Sequence, residues 1–150
     1  MLARQPGKAR SLRLTISVPS GIPVIGRIAA GTPQEAFQTA DEFLPLPPQF
    51  FPGTELFALL VKGDSMRDVG ILSGDIAVMN RQPDVADGEI AAVLLDDDAT
   101  LKFVHRRSGT LVLRGANPTF PDIVIQRDEA RSLHILGKYV GLVRRYGGAA

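Results

Sequence analysis

Short apolar segments, separated by turns rich in Gly, Pro and Asp, recur along this chain from residue 56 to residue 114. Each is shorter than an ordinary helix of about ten residues, and their spacing favours strands. The segments are Leu56–Val61, Ile76–Asn80, Glu89–Leu95, Thr100–Arg107 and Thr110–Arg114. The last three are joined by short connections and predict an antiparallel meander. The sequence therefore predicts a mainly β domain of curled antiparallel sheets, arranged as a sandwich or a barrel.

The regions that flank these segments carry weaker signals. Leu133–Arg145 predicts one or two closing strands, interrupted at one of its glycines. Ser11–Val18 alternates apolar and polar residues and Ile22–Ala30 is largely apolar, so both are candidate extended segments. Residues 34–54 contain four prolines, which argue against a regular helix or a central strand. Another loop is expected at 117–121, where two further prolines occur.

Composition excludes several classes of site. The chain has no cysteine and only two histidines, so it cannot build a disulfide, a thiolate site or a metal site of several histidines. We expect neither a cofactor nor a metal. No window approaches the roughly 20 apolar residues of a membrane span, and the basic N-terminus lacks the apolar core of a secretory signal. These features predict a cytoplasmic protein that does not bind a membrane.

Charge is distributed unevenly along the chain. Residues 1–34 contain five basic residues and no acidic residue. Because the whole chain carries a formal net charge of +1, the other 116 residues carry −4. A basic segment beside a mildly acidic body suggests that the N-terminal part lies near nucleic acid. A solvated tail that binds nothing is the alternative.

Ser65 lies in a turn that directly follows the predicted strand Leu56–Val61. Gly63 and Gly70 on either side allow the backbone to bend without a steric penalty. A serine exposed at a strand end, with free backbone N–H groups around it, could serve as a nucleophile beside an oxyanion pocket. The alternative is an ordinary turn serine, because turns favour Gly, Asp and Ser for local reasons.

Two basic residues are candidates for activating Ser65. His105 immediately precedes two arginines, and we expect it to be partly exposed and structural. Lys102 lies between Leu101 and Phe103 in mid-strand, where lysine is unusual. If apolar groups enclose this lysine, its pKa falls and the neutral amine can accept the serine proton. The alternative is an edge lysine that points into water.

Four short motifs occur along the chain in a distinctive order. They are Ala30-Gly31, Gly63-Asp64-Ser65-Met66, Thr100-Leu101-Lys102 and Asn117-Pro118-Thr119-Phe120-Pro121. Ala30 precedes Ser65 by 35 residues, and Ser65 precedes Lys102 by 37. In order and separation, these motifs resemble the self-cleaving LexA repressor family, peptidase family S24, which includes phage repressors and the UmuD mutagenesis proteins. The resemblance covers residues 22–146.

The resemblance implies a serine endopeptidase of the LexA type. Ser65 would be the nucleophile and Lys102 the general base, and the substrate would be the chain's own Ala30–Gly31 bond, carried on a loop that enters the active-site cleft. The backbone N–H of Ser65 would hold the oxyanion. The turn would be supported by Gly63, Asp64 and Met66. Small residues beside the scissile bond suit a cleft that must admit bent main chain, and intramolecular cleavage replaces substrate affinity with high effective concentration.

The resemblance also implies partners. In the family, the cleavage loop exchanges between docked and undocked states, and a RecA filament on single-stranded DNA favours docking. Such a partner acts only by binding the docked state more tightly. The protein would be a homodimer through its C-terminal strands and a repressor of the DNA-damage (SOS) response. Operator DNA would be bound only if the chain were joined to a helix-turn-helix domain.

The N-terminal region departs from the LexA pattern. Arg4–Leu14 resembles the end of the wing strand of the family's DNA-binding domain and the linker that follows it, without room for the rest of that domain. We expect a basic tail at 1–21, the autopeptidase and dimerisation domain at 22–146 and a short tail at 147–150. These bounds predict a truncated repressor without its DNA-binding domain.

Two alternatives to a LexA repressor remain open at this point. One is an accessory subunit of a translesion polymerase with the UmuD layout, although UmuD proteins typically cut at Cys-Gly and this chain has no cysteine. The other is a dimerisation module without catalysis. That module would keep an intact chain at every pH and an exposed Lys102 that titrates normally.

Overall fold

Alternating and continuous apolar segments of the sequence form nine β-strands in the computed structural model, which describes residues 21–25, 37, 40, 42–96, 98–126 and 133–146. The strands are β1 (Ile22–Val24), β2 (Glu42–Leu44), β3 (Leu56–Leu60), β4 (Ile76–Arg81), β5 (Ile90–Leu95), β6 (Asp98–Arg107), β7 (Thr110–Arg114), β8 (Ile123–Gln126) and β9 (Leu133–Val143). Short 3-10 turns span Pro48–Phe50 and Arg67–Val69. The prediction of a mainly β fold is confirmed.

All nine strands belong to one open, mixed sheet with the order β2-β1-β3-β4-β9-β5-β6-β7-β8. Neighbouring strands are antiparallel with one exception, since β1 runs parallel to β3 and places Val24 opposite Ala58. The described residues contain no helix-turn-helix. Among them, no helix has the length and apolar character needed to cross a membrane.

The predicted meander is present as β5, β6 and β7, and β8 extends it by one strand. The sequence did not predict β8 or β2, and both lie at the outer edges of the sheet. An edge strand pairs on one side only, so it can be short and can lie next to a proline. Both features make such a strand hard to recognise in the sequence. Pro45 directly follows β2, and Pro121 lies just before β8.

The longest strand, β9, joins the two halves of the sheet. Its first part pairs with β5 as far as Lys138, and its second part pairs with β4 from Gly137 to Val143. Register shifts in both ladders let one continuous strand serve both partners. Gly137 does not interrupt β9. Instead it permits close packing, because a Cβ there would lie 2.4 Å from the carbonyl oxygen of Asn80.

Buried side chains anchor the turn that follows β3. Met66 and Ile71 are 2% and 1% exposed. They share one apolar cluster with Phe57 on β3, Met79 on β4 and Leu101 on β6. Since this cluster fixes the chain immediately after position 65, it also fixes where that serine can lie against the sheet.

An ion pair with a buried carboxylate ties the end of β9 to the same region. Asp75 is 2% exposed, and both of its carboxylate oxygens accept hydrogen bonds from the Arg144 guanidinium at 2.7 Å. Arg144 also donates to the carbonyl oxygen of Gly70, and the Leu72 N–H donates to Asp75. The guanidinium of Arg144 holds the pKa of Asp75 below its ordinary value. The pair therefore fixes residues 70–75 against the chain that follows β9.

Replacement of this carboxylate should destabilise the fold. Asp75→Asn should lower the free energy of unfolding by about 2 kcal/mol at neutral pH, because the Arg144 guanidinium loses its charged partner. The pKa of Asp75 is lowered in the folded state, so its contribution is complete above the ordinary value and is lost as the pH falls through the lowered value. Urea unfolding should show the two proteins converging in acid below about pH 4.

Glu55→Gln is the matched control, since Glu55 pairs with Arg81 at 3.8 Å and both side chains are exposed. An exposed pair of this kind should contribute less than about 0.5 kcal/mol. Equal losses in the two variants, or a deficit of Asp75→Asn that persists unchanged into acid, would contradict the assignment.

Candidate active site

Ser65 lies in the turn between β3 and the 3-10 turn Arg67–Val69, as the sequence predicts. Gly63 and Gly70 have φ values of 87° and 82°, a left-handed backbone conformation that side chains disfavour. Ser65 is half-buried, and the next side chain, Met66, points into the core. The turn therefore leaves the Ser65 hydroxyl partly exposed, while the buried Met66 side chain anchors the backbone of the turn.

Lys102 lies in the middle of β6, opposite Ala91 on β5. It is only 7% exposed, so it is not an edge lysine pointing into water. Its Nζ lies 3.2 Å from the Oγ of Ser65. The structure thus brings together the two residues that the sequence proposes as base and nucleophile, within hydrogen-bonding distance. Their catalytic roles remain predictions.

The Lys102 amine has two further oxygen partners. Nζ donates to Thr100 Oγ1 at 2.9 Å and to the Leu101 carbonyl oxygen at 3.2 Å. A neutral amine has two N–H donors and one lone pair, so it can use both donors on these oxygens and turn its lone pair towards the Ser65 hydroxyl. The charged amine can instead donate to all three oxygens. The site therefore accommodates the amine in either protonation state.

Burial lowers the pKa of Lys102 below its ordinary value of 10.5. Removal of water disfavours the ammonium, and within the described residues no carboxylate forms an ion pair with it. A larger fraction of the amine is consequently neutral at a given pH than in an exposed lysine. A neutral amine next to a hydroxyl is the arrangement required to remove the proton from that hydroxyl.

Backbone N–H groups around Ser65 are available to a ligand. Within the described part of the chain, the N–H groups of Asp64, Ser65 and Met66 donate no hydrogen bond. Three such donors in consecutive residues can stabilise a negatively charged oxygen beside the serine hydroxyl. This fits the predicted oxyanion pocket, for which the sequence identified Ser65 and its neighbours.

The loop between β7 and β8 is hydrogen-bonded to the backbone of the serine turn. The Ala116 N–H donates to the Ser65 carbonyl oxygen at 2.6 Å, and Asn117 Nδ2 donates to the Asp64 carbonyl oxygen at 2.9 Å. Gly115 allows this approach, because a Cβ there would lie 2.7 Å from the Ser65 carbonyl oxygen. The sequence singled out Asn117 only through its motif and missed Gly115, since no local pattern reveals a contact across 50 residues.

His105 is half-exposed and lies on β6, three residues beyond Lys102. Alternation along a strand directs these two side chains to opposite faces of the sheet. The His105 ring stacks on Phe103, with 6.4 Å between the ring centroids, and no contact joins it to Ser65 in the described structure. This agrees with the expectation that His105 is partly exposed.

Comparison with known protein families gives a match over most of the chain. The sequence model of the family described as Peptidase S24-like matches residues 23–140. The chain belongs to the peptidase S24-like family. Membership implies serine peptidase and self-cleaving activity at the level of the family. It supports the group that contains LexA, UmuD and the phage repressors, without selecting one of them.

Two features of the S24 prediction lie outside the described residues. The proposed scissile bond, Ala30–Gly31, falls between Ile25 and Phe37, and the basic tail predicted at 1–21 lies outside the described residues except for Gly21. Among the described residues, no group of three or more His, Asp or Glu side chains could hold a metal ion. The S24 site as described therefore consists of Ser65, Lys102 and the polar groups that surround them.

The lowered pKa of Lys102 has a measurable effect on folding. Between the lowered and the ordinary value, the unfolded chain binds more protons than the folded chain, so stability should rise with pH in this range. In a Ser65→Ala background, which prevents self-cleavage, Lys102→Met should remove this rise. The difference in unfolding free energy between the two proteins should change by about 1.4 kcal/mol for each pH unit by which the pKa is lowered.

Urea unfolding between neutral pH and about pH 11 measures this difference. Lys62→Met in the same background is the control, because Lys62 is exposed and lies close to the serine turn. The lowered pKa of Lys102 is contradicted if the unfolding free energies of Ser65→Ala, with and without Lys102→Met, differ by the same amount at every pH. It is also contradicted if Lys62→Met removes the rise in stability.

Close packing at Gly115 is also testable. Gly115→Ala should push the Ser65 carbonyl oxygen away from the Ala116 N–H and lower the free energy of unfolding by about 1–3 kcal/mol. Amide chemical shifts of Ser65 and its neighbours should move. Gly74→Ala is the control, because it has no atom within 4 Å of the added Cβ and changes only backbone strain. Equal shifts at Ser65 in the two variants would refute the contact.

Proposed function

We propose that this chain is the self-cleaving domain of a LexA-type repressor, a Ser–Lys endopeptidase whose substrate is its own Ala30–Gly31 bond. The observation that carries the proposal is the 3.2 Å separation of Lys102 Nζ and Ser65 Oγ, with the lysine buried and its pKa lowered. A serine hydroxyl is a weak nucleophile until a neighbouring base removes its proton, and a neutral lysine can be that base.

In the proposed reaction, Ser65 Oγ attacks the carbonyl carbon of Ala30 while its proton passes to Lys102 Nζ. The tetrahedral intermediate then collapses, the bond to Gly31 breaks, and the lysine ammonium returns the proton to the departing amine. An ester joins Ser65 to Ala30. Water hydrolyses this ester with Lys102 again acting as base, which releases the new carboxylate and restores the hydroxyl.

Backbone donors support the charged steps of this reaction. The carbonyl oxygen of Ala30 gains negative charge when the serine attacks, and preorganised N–H groups stabilise such charge strongly because they need no reorganisation. The N–H of Ser65, with that of Asp64 or Met66, is available for this purpose among the described residues. The same donors would be offered to the ester during its hydrolysis.

The residues at the proposed bond favour LexA over the UmuD layout. UmuD proteins typically cut at Cys-Gly, whereas this chain has no cysteine and carries Ala30-Gly31 at the matching distance from Ser65. Arg4–Leu14 also resembles the linker of a LexA repressor. We therefore propose a role in repression of the DNA-damage (SOS) response in the cytoplasm, with operator binding supplied by a helix-turn-helix domain joined to this one.

A dimerisation module without catalysis is less well supported. That alternative predicts an exposed lysine with an ordinary pKa at position 102, whereas Lys102 is 7% exposed and burial lowers its pKa. Burial of an amine against a hydroxyl has a cost in folding free energy that a purely structural module would have no reason to retain.

The proposed homodimer would form through the second part of β9. Within the described residues, this strand pairs with β5 only as far as Lys138, while pairing with β4 continues to Val143. The segment 139–143 consequently has one edge without a strand partner in the described sheet. A second copy could add its own β9 there. A RecA filament on single-stranded DNA is the proposed activator, and its support is the resemblance alone.

Self-cleavage is the direct test. Incubation of the purified chain at alkaline pH should give two fragments, residues 1–30 and 31–150, in mass spectra. The rate should rise with pH and reach half its maximum below pH 10.5, because the base has a lowered pKa. Ser65→Ala and Lys102→Ala should each reduce the rate at least about 1,000-fold. A RecA filament should accelerate the same cut at neutral pH.

His105→Gln is the matched control and should cleave at the wild-type rate, because no described contact joins His105 to the serine. Cutting at another bond, or unchanged cutting in Ser65→Ala or Lys102→Ala, would overturn the proposal. Cleavage that depends on the dyad but ignores RecA would leave the peptidase standing and remove the proposed activator.

A further inference from the structure

We infer that Asn117 is a positioning residue for the oxyanion pocket, a role that rests on the proposed peptidase function. Asn117 is 7% exposed and lies in the loop between β7 and β8. Its Nδ2 donates to the Asp64 carbonyl oxygen at 2.9 Å. In the described structure it makes no hydrogen bond with Ser65 Oγ or Lys102 Nζ, so it acts through the backbone of the turn.

Through the geometry of the peptide bond, the hydrogen bond from Asn117 to Asp64 determines where the Ser65 N–H points. In a planar trans peptide, the carbonyl oxygen and the following N–H point in opposite directions, and the described residues contain no cis peptide bond. Asn117 fixes the Asp64 oxygen and thereby aims the Ser65 N–H away from the β7–β8 loop. The Ala116 N–H does the same for the next peptide, because it fixes the Ser65 oxygen and aims the Met66 N–H.

The side chain of Asn117 is itself held in one orientation. Its Oδ1 accepts hydrogen bonds from the Thr119 N–H at 3.1 Å and from Thr119 Oγ1 at 2.9 Å. A rotated amide would set its NH₂ group against the Thr119 N–H and its oxygen against the Asp64 carbonyl oxygen. Only the observed orientation satisfies both ends. Asn117 is thus a rigid link between Thr119 and the serine turn.

Loss of the hydrogen bond from Asn117 to Asp64 should misplace the Ser65 N–H and leave the Lys102 amine unchanged. The partners of the Lys102 amine are Thr100 and Leu101 on its own strand, in addition to Ser65, and the Asn117 side chain makes no hydrogen bond with these three residues in the described structure. A freed Asp64 peptide can rotate and carry the Ser65 N–H out of alignment. The expected signature is a lower maximal cleavage rate with an unchanged pH midpoint.

The test uses two variants of the full chain. Asn117→Asp keeps the acceptor for Thr119 and removes the donor to Asp64, while Asn117→Ala removes both without adding a charge. Self-cleavage is followed by mass spectrometry across the alkaline range, and urea unfolding gives the folded fraction of each protein. Both variants should lose about 10- to 100-fold in maximal rate after correction for that fraction. Asn117→Ala should keep the wild-type pH midpoint.

Asp122→Asn is the matched control, because Asp122 closes the same loop through an exposed ion pair with Arg114 and should cleave at the wild-type rate. Wild-type maximal rates in both Asn117 variants, or losses no larger than the loss of folded protein, would overturn the assignment while leaving the peptidase intact. An equal loss of maximal cleavage rate in Asp122→Asn would also overturn the assignment of Asn117. A wild-type chain that does not cleave would overturn the proposed function, and this role with it.

Discussion

The site depends on the burial of one amine against one hydroxyl. An ammonium removed from water needs oxygen partners, and β6 supplies two of them from the lysine's own neighbourhood, through Thr100 on the same face and the Leu101 carbonyl. The third is Ser65, which arrives from a distant turn. The fold must therefore deliver that turn to the face of β6 that carries the lysine.

Pairing between strands that are distant in the sequence brings the serine turn to Lys102. The residues in contact at the site are separated by 37 positions between Ser65 and Lys102 and by 53 between Asp64 and Asn117. Because strand side chains alternate between faces, a slip of one residue between β5 and β6 would turn Lys102 away from the serine. The register set by β9, which pairs with both β4 and β5, thus matters to chemistry as well as to stability.

Features with a local signature in the sequence were predictable. Alternating apolar segments are recognisable within a few residues, which is why the meander could be predicted. A serine between turn glycines and a lysine in mid-strand made Ser65 and Lys102 candidates, but each kept a structural alternative, and their pairing was predicted from the order and spacing of the four motifs. Edge strands β2 and β8 were missed because they bury little. Gly115 and the Asp75–Arg144 ion pair depend on contacts between segments about 50 and 69 residues apart, which no window of sequence contains.

The ion pair at the end of β9 links residue 144 to the turn that carries Ser65. Arg144 binds both the Asp75 carboxylate and the Gly70 carbonyl oxygen, five residues after the serine. A protein shortened to end at Val143 would keep all nine described strands yet leave the buried carboxylate of Asp75 without its counter-ion. Shortened versions of the protein for structural or inhibitor studies should therefore retain residue 144, and a tag fused after it needs a spacer that leaves the guanidinium free to reach its partners.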